Sequence, residues 1–405
     1  MTGHDSRPSS AMLRVLVLYA HYGVRASYYD DWLDALRGHS KLQVAEINIS
    51  RLGARGQLKR RLPDADLVIL LHSVNADQVF YLEPLASLLA ERRCKLLSFV
   101  GNEVNLPGAP ISEKRRVLRL VRPDWIATQL LEEAGSYLWG DIAPVVAIPH
   151  ALNPAAFQRR KNLADRHIDV GLRSFRYSAV LGDLDRNRVM DWVSEAGPTA
   201  GLLVDISQQR FDRTGWAAYL NACRATIATE AGSWYLQTDD ALVDAVLRAY
   251  SSRGFVLPAK SQGLRRLVHL LPWALRERLM RWLSRGPFRY EATSLSRVSD
   301  SEILAKFFLN ADKAPIYGKC ISSRHFDAIG TGTAQILLAG RYNDILMPGQ
   351  DYLELKDDLS NGDVVLEQLR DADSLERMSR HVLEKVMSQH TYAHRVQQIL
   401  DLLEA

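Results

Sequence analysis

The residues best suited to hold a phosphorylated ligand lie between Cys320 and Leu338. Ser322 and Ser323 stand like N-cap residues, and Phe326, Ala328 and Ile329 follow at helical spacing. Gly330-Thr-Gly332 stops that run, and Gln335-Ile-Leu-Leu338 then reads as a short apolar strand. A helix start presents free backbone N–H groups and the positive end of the helix dipole to an anion. Asp327 lies just behind it, where a carboxylate could hold a ribose hydroxyl. Ser322, Ser323, Arg324, Asp327, Gly330 and Thr331 are therefore candidate contacts to a nucleoside diphosphate. The same residues would also serve as an ordinary helix-to-strand connection in a parallel sheet.

Other candidates sit at the ends of apolar runs. Residues 12–20, 42–48, 66–72, 94–100, 125–128 and 145–149 have strand length and composition, with helical stretches such as 28–36 and 81–92 between them. This alternation predicts a doubly wound parallel sheet, whose ligands bind outside the carboxyl ends of the strands. Those ends carry His21, Gly23 and His72. His72 could act as a polar contact or a base, or could merely cap its strand. The lone Gly23, without Gly-x-Gly-x-x-Gly, argues against a dinucleotide site at the first strand. A second series of strands is expected over 166–174, 201–206, 225–229 and 335–338, with a helix over 216–223. Arg173 and Arg176 follow the first of these, and a planar guanidinium suits diphosphate oxygens. A solvated basic turn is the other reading. Glu230 ends the third, as a carboxylate for sugar hydroxyls or as an exposed loop residue.

Composition sets the frame. At 405 residues, 47% apolar and 24% charged, the chain has room for two ordinary domains. Cys94, Cys223 and Cys320 are odd in number and lack metal-ligand spacing, which points to a reducing compartment. No metal is expected, since no His/Asp cluster has ligand spacing, and no resident cofactor is expected. There is no apolar run of 18 residues, and residues 1–11 read as a polar, disordered tail without a signal-peptide core, so a cytoplasmic protein is expected.

The net charge of +4 is uneven: residues 253–290 hold eight Arg and one Lys against one Glu. Basicity this local does not imply nucleic-acid binding. On a helix beginning near Pro272, Leu275, Leu279, Trp282 and Leu283 share one face, opposite Glu277, Arg278, Arg281 and Arg285. Residues 263–286 thus predict an interfacial helix on an anionic membrane, or a helix packed on its own core.

Asp327-Ala-Ile-Gly-Thr-Gly-Thr333 resembles the nucleotide-sugar loop of the group 1 (family 4-type) glycosyltransferases, in the branch related to spore-coat CgeB proteins. Ile148-Pro-His-Ala-Leu-Asn-Pro-Ala-Ala-Phe157 is similar to that group's interdomain element, with His150 and Asn153 where the group has Asn and Asp. His390 to Leu400 resembles its closing helix. These are scattered motifs that span most of the chain. The resemblance implies a GT-B fold of two Rossmann-like α/β domains facing a cleft. Residues 12–157 would be the acceptor side, with His21, Gly23 and His150 near the acceptor. Residues 158–389 would bind the nucleotide sugar and carry the basic insertion 253–290, and 390–405 would be a helix crossing back.

The implied reaction is metal-independent sugar transfer, hexosyl in type, from a nucleotide-sugar donor to a glycan or lipid-linked glycan in cell-surface polysaccharide synthesis. Arg173 or Arg176 would reach the donor phosphates, and His72 and Glu230 are the catalytic candidates. The chain departs from the group's two-Glu pattern: Lys319 stands at the first position and Asp327 at the second. Glu230 would supply the missing carboxylate. A nucleotide-sugar epimerase, or a catalytically silent scaffold that binds nucleotide or a partner at the membrane, is the alternative.

Overall fold

The computed structural model describes residues 12–21, 28–76, 79–106, 109–250, 299–309 and 316–404, with Leu271 and Leu275. The first domain contains β1 (Leu13–Tyr19), α1 (Tyr28–Gly38), β2 (Leu42–Asn48), α2 (Ala54–Arg61), β3 (Leu67–Leu70), α3 (Ala86–Ala90) and β4 (Lys95–Phe99). It continues with α4 (Ile111–Val121), β5 (Trp125–Thr128), α5 (Glu132–Trp139) and β6 (Val145–Ala147). All six strands are parallel, in the order β2-β1-β3-β4-β5-β6. Helices cover both faces, so β3 is buried at every position. That explains why these strands read as continuous rather than alternating apolar runs. The helix expected over 81–92 is broken: Pro84 sits in a 3-10 turn, Glu83–Leu85, and α3 begins only after it.

The second domain contains β7 (Ile168–Arg173), α6 (Asp185–Thr199), β8 (Val204–Ser207), α7 (Arg213–Leu220), β9 (Cys223–Ala228), β10 (Ala231–Gly232) and α8 (Ala241–Tyr250). After α9 (Asp300–Ile303) come β11 (Lys319–Cys320), α10 (Ser323–Gly330), β12 (Ala334–Leu338), β13 (Leu353–Leu355), α11 (Gly362–Gln368), α12 (Ala372–Gln389) and α13 (Tyr392–Glu404). Its five-stranded sheet, β13-β12-β9-β7-β8, is also parallel. β10 and β11 form a separate antiparallel pair. The strand expected from Gly201 starts at Val204, because Gly201 adopts a left-handed φ of 76° in the turn after α6. Strand order reverses between β1 and β3 in the first sheet and between β7 and β9 in the second, and crevices for ligands form at such points.

The domains touch along several seams. Tyr392, Val396, Ile399 and Leu400 of α13 join the core of the first domain beside Val15, Trp32 and Phe99. Residues 158–165 are packed on the second domain: Arg159 pairs with Glu376, and Leu163 is buried in the second core. Arg213 of α7 donates to Asp31 (2.8 Å) and Asp34 (2.6 Å) of α1, and Asn153 donates to Asp31 at 2.8 Å. On the other side, Asn105 donates to the carbonyls of Gln237 (3.2 Å) and Asp239 (2.7 Å), and Asp240 accepts from the first N–H of α4 at 2.8 Å.

Buried ions tie the second domain together. Lys319 is 2% exposed and reaches Asp183 at 2.5 Å and Asp185 at 3.0 Å. Burial opposes its charge, but the two carboxylates prevail and its pKa is raised. Arg166 donates to the carbonyls of Leu220 (3.2 Å) and Thr331 (2.6 Å) and to Thr333 Oγ1 (2.8 Å), satisfying carbonyls left over at the ends of α7 and α10.

Removing one partner of a buried ion cluster leaves the others uncompensated. Lys319→Met is therefore expected to cost about 3–5 kcal/mol in denaturant unfolding. Lys319→Glu, the residue typical of the resembled group, would place a third carboxylate in the cluster and cost at least as much. A Lys319→Glu protein as stable as the parent would refute the assignment.

Asp31 offers a second test, since burial raises its pKa from 3.8 to about 6 despite Asn153 and Arg213. A group with a raised folded pKa contributes stability that is complete below its unfolded pKa and lost as pH rises through the folded one. Asp31→Asn keeps the side chain neutral, so its melting temperature should gain on the parent's between pH 4 and pH 7. A gap independent of pH would contradict this.

Candidate functional site

A pocket opens at the carboxyl ends of β7 and β9, where the second sheet changes direction. Its walls include Ser174 after β7, Arg186 on α6, Trp216 on α7, Thr229 after β9, and Ser322 and Arg324 at the start of α10. Leu172, Met190 and Ile227 add apolar lining, and Gln335 of β12 also faces it. Gln335 lies level with Thr226 of β9. α10 forms where the sequence predicts it: Ser322 is the N-cap, and His325 Nδ1 lies 3.0 Å from both Ser322 N and Ser322 Oγ. Burial lowers the pKa of His325 to about 3, so this cap is neutral.

The pocket is electropositive. Arg186 is almost fully buried, with its guanidinium carbon 3.8 Å from the centre of the Tyr177 ring. Burial, and then the neighbouring charge of Arg324, lowers its pKa to about 10, so it remains a cation. Arg324 extends toward the opposite wall, with Nη1 3.5 Å from Ser174 Oγ. Neither arginine forms an ion pair among the described residues. The side-chain amide of Gln335 is buried and makes no hydrogen bond through Nε2 or Oε1. Among the described residues, two cations without ion pairs and an amide without hydrogen bonds face one crevice. This arrangement suits a polyanion with hydrogen-bonding edges, and a ligand would relieve the cost of leaving these groups unmatched.

The structure distributes the remaining candidates differently from the sequence-based expectation. Arg173 does not line the pocket. Its guanidinium donates to Asp205 Oδ2 (2.6 Å) and to Tyr219 Oη (2.8 Å), and it stacks on the Tyr219 ring at 4.0 Å. Arg176 is paired with Asp191 at the surface. Lys319 is locked in its carboxylate pair. Asp183-Leu-Asp185 corrects the expectation that no acidic pair has metal-ligand spacing: it is an Asp-x-Asp pair, and it holds this ammonium. Gly330 and Thr331 end α10, away from the pocket. A Cβ at Gly330 would stand 2.7 Å from the Phe157 carbonyl and crowd Leu152, so this glycine permits close packing of α10 on the interdomain segment. Asp327 is buried beneath the wall and accepts from Trp216 Nε1 at 3.0 Å. Burial, then Asp31, raises its pKa well above the carboxylate range. In this arrangement it orients Trp216 and does not line the pocket. Ser323 is half-buried as the first residue of α10.

Glu230 is neither exposed nor free. Tyr342 N donates to Oε1 at 2.7 Å, Tyr317 donates to Oε2, and burial raises its pKa. It joins the end of β9 to the chain after β12. His72 lies in a buried ring stack, 4.6 Å from Phe99 and 5.0 Å from His150. Burial, then His150, lowers its pKa far below the ordinary value, so it stays neutral in the core and does not reach the cleft. His150 is likewise buried, 3.2 Å from Tyr392 Oη, with a pKa lowered to about 3 by burial and then Arg395. His21 is exposed at the end of β1, and its backbone bonds Asn48 and Ser50. Gly23 lies outside the described residues, as does the basic segment 263–286 apart from the exposed Leu271 and Leu275. No helix among the described residues is long and apolar enough to cross a membrane.

The residues that sequence reasoning passed over are Arg186, Trp216 and Gln335. Gln335 did carry a signal. It is the one polar residue of Ala-Gln-Ile-Leu-Leu, a strand buried at every position, where an amide without a purpose is costly.

Residues 273–401 match a protein family described as "Glycosyl transferase-like". No curated protein sequence matches the chain. Among solved structures, Anabaena Alr3699/HepE in complex with UDP is similar at 10% identity, covering 97% of this chain and 100% of that one, with a TM-score of 0.50. The same protein in complex with UDP-glucose gives 9% identity, 97% and 99% coverage, and a TM-score of 0.47. An alpha,alpha-trehalose-phosphate synthase (UDP-forming) from Burkholderia vietnamiensis gives 12%, 98% and 100%, and 0.45. The first of these likenesses extends over both chains and concerns the fold: two Rossmann-like domains of parallel strands facing one another, the GT-B architecture.

Proposed function

We propose that this chain is a glycosyltransferase whose nucleotide-sugar donor places its diphosphate between Arg186 and Arg324. The observation that carries this reading is that Arg186 and Arg324, which form no ion pair among the described residues, line the same crevice as the unbonded amide of Gln335. The family match over 273–401 and the UDP held by the Anabaena GT-B protein support it. Sugar transfer leaves negative charge on the departing diphosphate. Two arginines fixed beforehand in a partly enclosed crevice stabilise that charge without rearrangement. They supply this charge without a metal ion, which supports a metal-independent reaction. Trp216, held by Asp327, forms a flat wall for an apolar ring face. The scattered motifs further suggest the CgeB-related branch, a hexosyl donor, and a glycan or lipid-linked acceptor on the first domain. A peripheral site on the inner face of a membrane would suit such an acceptor.

A second reading, a nucleotide-binding scaffold without turnover, is favoured by the engagement of Glu230, Asp327, Asp183 and Asp185 in internal contacts. Both readings place a nucleotide in the pocket, and they differ in whether the glycosidic bond is broken.

Titration with UDP, GDP, dTDP and CMP should give one preferred ligand. Charge-assisted hydrogen bonds contribute about 1.5–3 kcal/mol each. Arg186→Ala and Arg324→Ala should therefore each weaken binding about ten- to a hundredfold, while Arg176→Ala should leave it unchanged. Gln335→Leu replaces an unbonded buried amide with an apolar side chain of similar size. It should hold or raise the melting temperature and still weaken binding. Unchanged affinity in both arginine variants would remove the proposed site. Release of sugar from the preferred nucleotide sugar would support the enzyme, and tight binding without turnover would support the scaffold.

A further inference from the structure

We propose that α2 and the turn before it form a docking surface for a membrane of anionic lipids. Arg51, Arg55, Lys59, Arg60 and Arg61 fall within a segment that contains no acid, and all five are exposed. Their charge alone exceeds the +4 of the whole chain. None of the five forms an ion pair among the described residues. Of the flanking carboxylates, Glu46 is paired with Arg37 and Asp66 with Arg14, and Asp64, three residues past Arg61, forms no ion pair with any of the five among the described residues. Beside these cations Leu52 is 98% exposed, the highest value among the exposed large hydrophobic side chains. It projects from a turn that Gly53, with φ of 85°, directs into the helix.

The mount is rigid. Ala54 and Leu58 anchor α2 in the core of the first domain beside Leu16, Leu18 and Val68. The charges thus stand on a fixed platform. Ser50 Oγ donates to the His21 carbonyl at 3.2 Å, which ties the turn to the carboxyl end of β1.

The chemistry selects lipid over other polyanions. Each basic residue near an anionic bilayer is attracted by the surface potential, and an adjacent apolar side chain can enter the headgroup boundary. A phosphate backbone would satisfy the cations but offers nothing to Leu52. α2 itself has no apolar stripe on its outer face, so docking would be electrostatic, with one apolar anchor. This surface is independent of the glycosyltransferase reading. If that reading holds, docking would bring the carboxyl edge of the first sheet toward lipid-linked acceptors.

Sedimentation of the full chain with vesicles of phosphatidylglycerol and phosphatidylcholine, against vesicles of phosphatidylcholine alone, tests the surface. Binding is expected only to the anionic vesicles at about 0.1 M salt and should disappear as the Debye length shortens. At about fivefold per charge, Lys59→Gln, Arg60→Gln and Arg61→Gln together should weaken partitioning about a hundredfold. Leu52→Ser should give a smaller loss that salt does not alter. All these side chains are at the surface, so nucleotide binding and the melting temperature should be unaffected in every variant. If the triple variant sediments like the parent, α2 is not the docking surface. Equal binding to both vesicle types would refute the electrostatic basis. Binding to single-stranded RNA tighter than to vesicles would reassign the patch to nucleic acid.

Discussion

The two-domain arrangement depends on one short pairing of chain segments. Leu152, on the passage out of the first domain, donates to the His390 carbonyl at 2.9 Å and accepts from Tyr392 N at 3.0 Å. Residue 390 lies on the passage back, so both crossings between domains are stitched to each other at one buried point. Side chains reinforce it: His150 meets Tyr392, and Arg395 donates to the Pro149 carbonyl at 3.1 Å. Gly330 brings α10 against the same segment. The depth at which α10 meets the first domain, and hence the place of Asp327 beside Asp31, follows from this junction. The Arg213–Asp31 contact and the Asn105 contacts then hold the domains on either side of it.

Within that frame the interior treats charge consistently. Lys319, Arg166, Glu103 and Glu230 are all buried, and each has several polar partners. Solvation lost on burial is replaced by geometry, as it must be for ionised groups. Against this background, Arg186 and Arg324 differ in forming no ion pair among the described residues, and the side-chain amide of Gln335 in making no hydrogen bond there. Pairing or replacing these three would remove that mismatch. They share one crevice at a sheet switch point, which is the arrangement on which the proposed nucleotide site rests. On that proposal the bond from Trp216 to the buried Asp327 would hold this wall in orientation when the site is empty.

The fold was largely legible because parallel strands buried on both faces leave continuous apolar runs, and these were found at all six strands of the first domain and at β7, β9 and β12. The start of α10 was legible for a similar local reason, since Ser322 caps it. What escaped was direction and partnership. Arg173, Arg176 and Arg186 look alike in sequence, following the same strand, but Asp205 and Asp191 engage the first two. Those partners come from β8 and from the outer face of α6, and no local pattern announces them. Likewise His72 ends a strand, as a ligand-facing residue would. Trp32, Phe99 and His150 close over it from three separate parts of the chain. The basic segment 263–286 drew attention by composition, whereas the cations of α2 are notable only once Leu52 is seen to be exposed and Glu46 to be paired.

Lys319 shows how far a single position can mislead. In sequence it is a charge reversal in a motif that carries glutamate in the resembled group, which reads as loss of the site. In the folded chain the reversal is matched by Asp183 and Asp185 on the segment that leads into α6. Asp185 opens that helix, where an acid is favoured by the helix dipole, and Arg186 is the next residue. By holding Asp185, the lysine fixes the first turn of α6, and with it the arginine that enters the pocket. Trp234, which donates to Asp185 at 3.0 Å, closes the arrangement from the side. A glutamate at 319 would repel this turn and withdraw the support from Arg186. Lys319, Asp183 and Asp185 thus form one unit with the arginine they position, and the change of sign at 319 supports the wall of the pocket proposed to take an anion.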